Sequence, residues 1–111
     1  MANKFGAKSR EIDGHEFPSL KEADYYLIYK DMLKRGEIVK LELQPKFTLI
    51  PSFKGRDGKT EKSVNYTADF RLTFPDGRQR VVEVKGYKTR DYVIRRKMFK
   101  WFNRDVDFVE V

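Results

Sequence analysis

Tyr66-Thr67-Ala68-Asp69-Phe70, followed across a Pro75-Asp76-Gly77 turn by Val81-Val82-Glu83-Val84-Lys85-Gly86, is the stretch whose reading decides the fold. Alternation on the first arm puts Val64, Tyr66, Ala68, Phe70, Leu72 and Phe74 on one face and Asn65, Thr67, Asp69, Arg71 and Thr73 on the other. On the second arm Val82 and Val84 share a face, while Val81, Glu83 and Lys85 point the opposite way. Asp69, Glu83 and Lys85 thus fall on the polar side of a hairpin, and the turn sets their register.

Pro-Asp-Gly suits a three-residue loop whose glycine supplies a left-handed residue. Such a loop pairs Phe74 with Arg78, Phe70 with Val82, and Asp69 directly with Glu83. A two-residue loop would put Asp69 opposite Val84, on the wrong face. Carboxylates directly opposite on a sheet have Cβ atoms roughly 4.5–5.5 Å apart, and like charges so placed are destabilising. A cation bound between them would remove the conflict.

Working outward, the 111 residues suffice for one domain with a modest core, and the sequence reads as a single domain over 1–111. Charged residues make up 37% and hydrophobic residues 40%, with nine Phe, six Tyr and one Trp, a globular balance. A net charge of +7 favours a polyanionic partner, nucleic acid before an anionic membrane. The absence of cysteine excludes disulfides and thiolate metal sites. Neither a signal peptide nor a membrane span is visible, which reads as a cytoplasmic protein with no membrane partner.

Residues 1–10, with Lys4, Lys8 and Arg10, read as a flexible basic arm. Arg10 to Phe17 reads as a small hairpin about Asp13-Gly14, with the lone histidine, His15, at the surface. A helix is expected from Ser19-Leu20 to Gly36, with an apolar stripe of Leu20, Ala23, Tyr26, Leu27 and Leu33. Ser19-x-x-Glu22 has the form of a capping box, which by itself accounts for Glu22. Val39 to Leu49 alternates as one long strand, bulged or at an edge where Pro45 removes a donor, with Gln44, a candidate to line a cleft or to support the site residues, on its polar side, which faces either solvent or a cleft. Residues 51–63 read as a turn-rich basic loop in which Lys54 and Arg56 either touch phosphates or are simply solvated.

After Lys88, a second helix is expected from about Arg90 to Asn103, capped by Thr89, with Ile94, Met98, Trp101 and Phe102 as its apolar face. Arg95, Arg96, Lys97 and Lys100 make the remainder strongly basic, either for solvation or for phosphate contact. A final strand runs from Val106 to Val111. The whole is a mixed sheet flanked by helices, an α/β architecture.

Two carboxylates on neighbouring strands are hard oxygen ligands of the kind Mg²⁺ or Mn²⁺ takes. Lys85, two residues beyond Glu83 on the same face, can reach that cluster to hold or deprotonate a water, or to balance phosphorane charge. A purely structural Asp/Glu/Lys cluster is the other reading.

Asp69 followed by Glu83-Val84-Lys85, after a helix carrying Glu22, resembles the PD-(D/E)XK nuclease superfamily. Ala68 stands where the motif name has Pro. Ser19-x-Lys21-Glu22-Ala23, Leu43-Gln44-Pro45-x-Phe47, Ala68-Asp69-Phe70 and Val82-Glu83-Val84-Lys85-Gly86 are more closely similar to a phage and prophage family of small, poorly characterised nuclease-like proteins. The same series is also similar to transposon end-cutting endonucleases.

The resemblance implies a restriction-endonuclease-like core of helix, three strands, helix and strand. It further implies a Mg²⁺-dependent DNA endonuclease, Mn²⁺ substituting, in which Asp69, Glu83 and the Val84 carbonyl bind metal and Lys85 stands beside the water. It moves Glu22 toward a metal-linked role. Duplex or branched DNA would be the substrate, with a homodimer or a phage replication or recombination protein as partner, in a bacterial host cell. A catalytically silent nucleic-acid-binding module on the same fold, and a structural protein that kept the fold, are the alternatives. Neither needs Asp69, Glu83 and Lys85 together on one face.

Overall fold

The structure, a computed structural model, describes residues 9–84 and 86–111, so Lys85 and the first eight residues of the expected arm lie outside the described residues. Arg10 is no part of an arm: it opens β1 (Arg10–Ile12) and pairs with Phe17 of β2 (His15–Phe17). The turn between them uses Asp13 and Gly14 with φ of 54° and 81°, the left-handed pair that a two-residue hairpin needs.

Helix α1 (Leu20–Lys34) starts where the capping signal places it, with the Ser19 hydroxyl accepting from the Glu22 amide at 3.1 Å. Its buried residues are Ala23, Tyr26 and Tyr29, whereas Leu20, Leu27 and Leu33 of the expected stripe are exposed. Tyr25-Tyr26-Leu27-Ile28-Tyr29 is apolar most of the way round a turn, so periodicity alone does not choose the face. The tyrosine tips help decide it: Tyr26 donates to Asp13 Oδ2 at 2.7 Å, beside the Lys30–Asp13 ion pair. Burial first, then that bond, pushes the Tyr26 phenol up to about 12, and Lys30 and Tyr26 hold Asp13 below its ordinary value.

The long strand expected over 39–49 is two, β3 (Lys40–Leu43) and β4 (Lys46–Ile50). The break is at Gln44, whose φ is 50°, just before Pro45. The 64–74 arm is likewise split, into β7 (Val64–Thr67) and β8 (Phe70–Thr73). The two breaks meet: Gln44 N donates to Asp69 O at 2.9 Å and Ala68 N to Pro45 O at 3.0 Å. Between β4 and β7, the expected loop 51–63 contains a short hairpin, β5 (Phe53–Lys54) with β6 (Thr60–Glu61), closed by Gly55 N to Lys59 O at 2.8 Å.

β9 (Gln79–Glu83), α2 (Arg90–Phe102) and β10 (Asp107–Glu110) complete the chain. The main sheet has the order β10-β9-β8-β3, while β4 pairs antiparallel with β7. Since β10 is parallel to β9 and β8 joins β9 through a hairpin, the sheet is mixed, as expected for an α/β protein. Among the described residues no helix is long and apolar enough to cross a membrane.

The described residues divide into two compact units, 9–41 with Leu72–Arg78, and Glu42–Arg71 with Gln79–Val111. The first holds β1, β2 and α1, with Phe17, Ala23, Tyr26, Tyr29, Ile38 and Leu72 buried. In the second, α2 lies against β4 and β7 over a cluster of Leu49, Tyr66, Ala68, Val81 and Phe99.

Phe99 is the residue of α2 that closes this core, while Ile94, Trp101 and Phe102 of the expected apolar face are exposed. The true face is rotated from the expected one by one residue, or about 100°. What selects it is the ring of Phe99, centred 4.6 Å from that of Phe47 and 5.1 Å from that of Tyr66.

Candidate active site

The turn has three residues: Phe74 N donates to Arg78 O at 2.8 Å, and Gly77 takes φ of 90°. Counting from that pair sets Phe70 opposite Val82. Yet Asp69 N also reaches Val82 O, at 3.1 Å, so one extra residue is taken up as a bulge at Asp69. The strict Asp69–Glu83 pairing expected from the loop is therefore replaced by a kink.

The bulge does two things. It re-aims Asp69 so that its Oδ2 accepts the amide of Val84 at 2.7 Å, tying the carboxylate to the residue between Glu83 and Lys85. It also reverses the side that β7 presents. Tyr66 and Ala68, expected with Val82 and Val84, pack with Val81, and the Tyr66 hydroxyl donates to Glu83 Oε1. Burial, reinforced by the bond to Glu83 and its charge, pushes the Tyr66 phenol far above its ordinary value. The phenol therefore stays protonated and serves Glu83 as a fixed donor.

Asp69 and Glu83 are both half-buried, and each has a defined donor on one oxygen. The like-charge conflict is thus eased in part by the chain itself. Val84 is buried just past the end of β9, where its amide serves Asp69. Gln44 is exposed, and the amide of its left-handed backbone donates to Asp69 O. A non-glycine residue held there costs on the order of 1 kcal/mol or more, and such strain collects at functional sites. Glu22 is half-buried in the first turn of α1, in the other unit.

Glu110 is a residue that sequence reasoning missed. It is the Cα partner of Glu83 on the parallel strand β10, and Val111 N donates to Glu83 O at 2.9 Å. Its Oε2 accepts from Tyr92 Oη at 2.6 Å and Arg96 Nη1 at 2.9 Å, with Lys88 Nζ at 3.5 Å. Among the described residues no three His, Cys, Asp or Glu side chains gather as a metal-holding group. Asp69 and Glu83 are hard oxygen donors of the chemical kind that Mg²⁺ takes, one or two carboxylates with waters and substrate phosphates.

A family model described as a protein of unknown function, DUF1064, matches residues 2–110. The chain belongs to the DUF1064 family. No curated protein and no solved structure matches it.

In this DUF1064 chain the basic residues of α2 divide into two sets. Arg96 pairs with Glu110, and Arg95 donates to Asn65 O at 2.6 Å with Asp91 Oδ2 2.9 Å away, so both guanidinium groups are engaged by the protein. Lys97 and Lys100 are exposed, as are Lys54, Arg56 and Lys88.

The Glu110 cluster yields a pH prediction. Burial raises the Glu110 carboxyl, but Tyr92, Arg96 and Lys88 together outweigh it and lower the group from 4.5 to about 2. A carboxylate depressed by folding adds stability that is complete above its unfolded value and is lost as pH falls from about 4.5 toward about 2. Urea unfolding between pH 6 and pH 3 should show that loss in the native chain and a shallower one in Glu110→Gln. Equal slopes would show that the cluster contributes nothing to acid lability.

Proposed function

We propose that this chain is a metal-dependent DNA endonuclease with a restriction-endonuclease-like core of the PD-(D/E)XK type. The observation that carries the proposal is the 2.7 Å bond from the Val84 amide to Asp69. It tethers the acid of one strand to Val84 of the next, and Val84 stands between Glu83 and Lys85 in the sequence, which supports the motif reading. The order α1, β3/β4, β7/β8, β9, α2, β10 supports the same reading, since it follows helix, three strands, helix, strand once each kinked strand is counted once.

Asp69, Glu83 and the Val84 carbonyl would hold Mg²⁺, or Mn²⁺ in its place. A bound divalent ion supplies Lewis-acid polarisation of the phosphate and a more acidic water. The chain's own part is positional. The Val84 amide orients Asp69, and the Tyr66 phenol, which keeps its proton, holds one oxygen of Glu83. Lys85 would stand beside the attacking water, whose oxygen bonds to phosphorus as the bond to the leaving sugar oxygen breaks. Gln44 would line the cleft. Exposed Lys54, Arg56, Lys88, Lys97 and Lys100 supply candidate phosphate contacts. Two-strand cleavage by so small a chain would suit a homodimer.

The test is incubation with supercoiled, linear, single-stranded and four-way-junction DNA in Mg²⁺, Mn²⁺ or EDTA. Cleavage should require the metal and vanish in Lys85→Ala; activity that persists in EDTA would sink the assignment. Glu22→Gln separates two roles for that residue, because Gln can keep a capping contact. A loss of about 10-fold or more is expected if Glu22 serves the metal site, and an unchanged rate would return it to the helix cap.

A further inference from the structure

The single tryptophan of the chain stands in the open on the most basic helix. Trp101 is 63% exposed, and Arg104 places its guanidinium carbon 3.7 Å from the ring centroid. Lys97, one turn earlier at i−4, is exposed on the same line, as is Ile94 two turns back, while exposed Lys100 lies on the adjoining stripe with its ammonium 5.7 Å from the centre of the Phe108 ring. The core does not need this ring, since Phe99 fills the space under α2.

An exposed aromatic with a cation on its face and others on its helix has two common uses, stacking on a nucleotide base and anchoring a protein partner. Charge decides between the first of these and a second copy of the chain. In a two-fold contact the same patch meets itself, so Lys97, Lys100 and Arg104 would face their own copies and repel. A polyanion meets no such penalty, and the net charge of +7 points the same way.

We propose that Trp101 is a stacking platform for an unpaired DNA base, with Lys97, Lys100 and Arg104 holding the flanking phosphates. The guanidinium on the ring pre-orders it and adds a cation to the phosphate path. Because bases inside a duplex already stack on one another, the platform selects single-stranded or unpaired nucleotides. This rests on the nuclease reading for its place near a reaction, but it requires no chemistry of Asp69, Glu83 or Lys85.

Trp101, as the one tryptophan, is its own reporter. The experiment titrates the full chain in EDTA with a single-stranded oligodeoxynucleotide, or with a duplex of the same length, following tryptophan emission and the anisotropy of the labelled DNA together. Emission should be quenched in step with binding by the single strand and much less by the duplex. Trp101→Ala should weaken single-strand binding by roughly 5-fold to 100-fold, while Trp101→Phe, which keeps a π-face, recovers most of it.

The proposal is overturned if the single strand binds with unchanged emission, if Trp101→Ala binds as the native chain does, or if no binding occurs. It is also overturned if emission shifts with protein concentration alone as a dimer forms, which would assign the patch to a second copy. Cleavage in Mg²⁺ is scored separately. A quenched but inactive protein removes the nuclease reading and leaves the platform; an active protein with a silent Trp101 does the reverse.

Discussion

Asp69→Asn is expected to lower metal-dependent DNA cleavage by on the order of 10³-fold while leaving the fold intact. The bond from Val84 N to Asp69 Oδ2 is what makes this substitution clean. An asparagine carbonyl can accept the same amide, so the bulge keeps its tether and only the charge is lost. The change in stability should stay within about 0.5 kcal/mol. Asp69→Ala differs in kind, because the Val84 amide, on a buried residue, loses its acceptor, at about 1–3 kcal/mol. Cleavage by plasmid nicking and urea midpoints for both variants separate the roles. If Asp69→Asn cuts DNA at the native rate, the carboxylate is only a cap for the end of β9, and the proposed site fails.

How much of this was legible in the sequence depends on which contacts are local. The hairpin turn, the Ser19 and Thr89 caps and the Asp13-Gly14 turn are all set by residues within a few positions of one another, and all are as expected. Pro45 correctly marked an irregular strand, but alternation could not show that the chain breaks there and breaks again at Ala68-Asp69. Those breaks are fixed by each other, through Gln44 N to Asp69 O and Ala68 N to Pro45 O, across 25 and 23 residues by subtraction of their numbers. Burial alternates through the kink, with Tyr66, Ala68, Phe70 and Leu72 all buried. A period-2 pattern is therefore blind to a bulge that turns half of a strand to the other side of the sheet.

That bulge is why Tyr66 reads in the sequence as a core residue and proves to be both core and site. Its ring belongs to the cluster under α2, and its hydroxyl holds Glu83. The place of Glu110 is hidden in the sequence for a related reason. The weak alternation of 106–111 predicts a strand, but the crossover through α2 alone sets its register, and Glu110↔Glu83 is a long-range fact. Sequence does not decide a helix face where aromatic residues occur all round the helix, as at Tyr92, Phe99, Trp101 and Phe102. Only packing says which ring goes in.

Phe99→Ala should be the most destabilising single substitution in this unit, at about 3–5 kcal/mol. Phe99 is fully buried, and its ring meets those of Phe47, Tyr66 and Phe108 at 4.6, 5.1 and 5.9 Å. Helix α2 is held over β4 and β7, so little can collapse into the cavity without moving the helix. A cost of that size is a large share of the roughly 5–15 kcal/mol by which domains are stable. Phe102→Ala and Ile94→Ala, on exposed positions of the same helix, should change stability by no more than about 0.5 kcal/mol. Urea unfolding of the three variants reads this directly, and equal losses at 99 and 102 would mean that the helix face has been assigned wrongly. The milder Phe99→Leu should cost less than about 2 kcal/mol and stay folded. Because Tyr66 packs on Phe99 while donating to Glu83, loosening this ring should reach the site. Cleavage by Phe99→Leu is expected to fall under conditions where its circular dichroism is still native, linking the core under α2 to the carboxylate that Tyr66 holds.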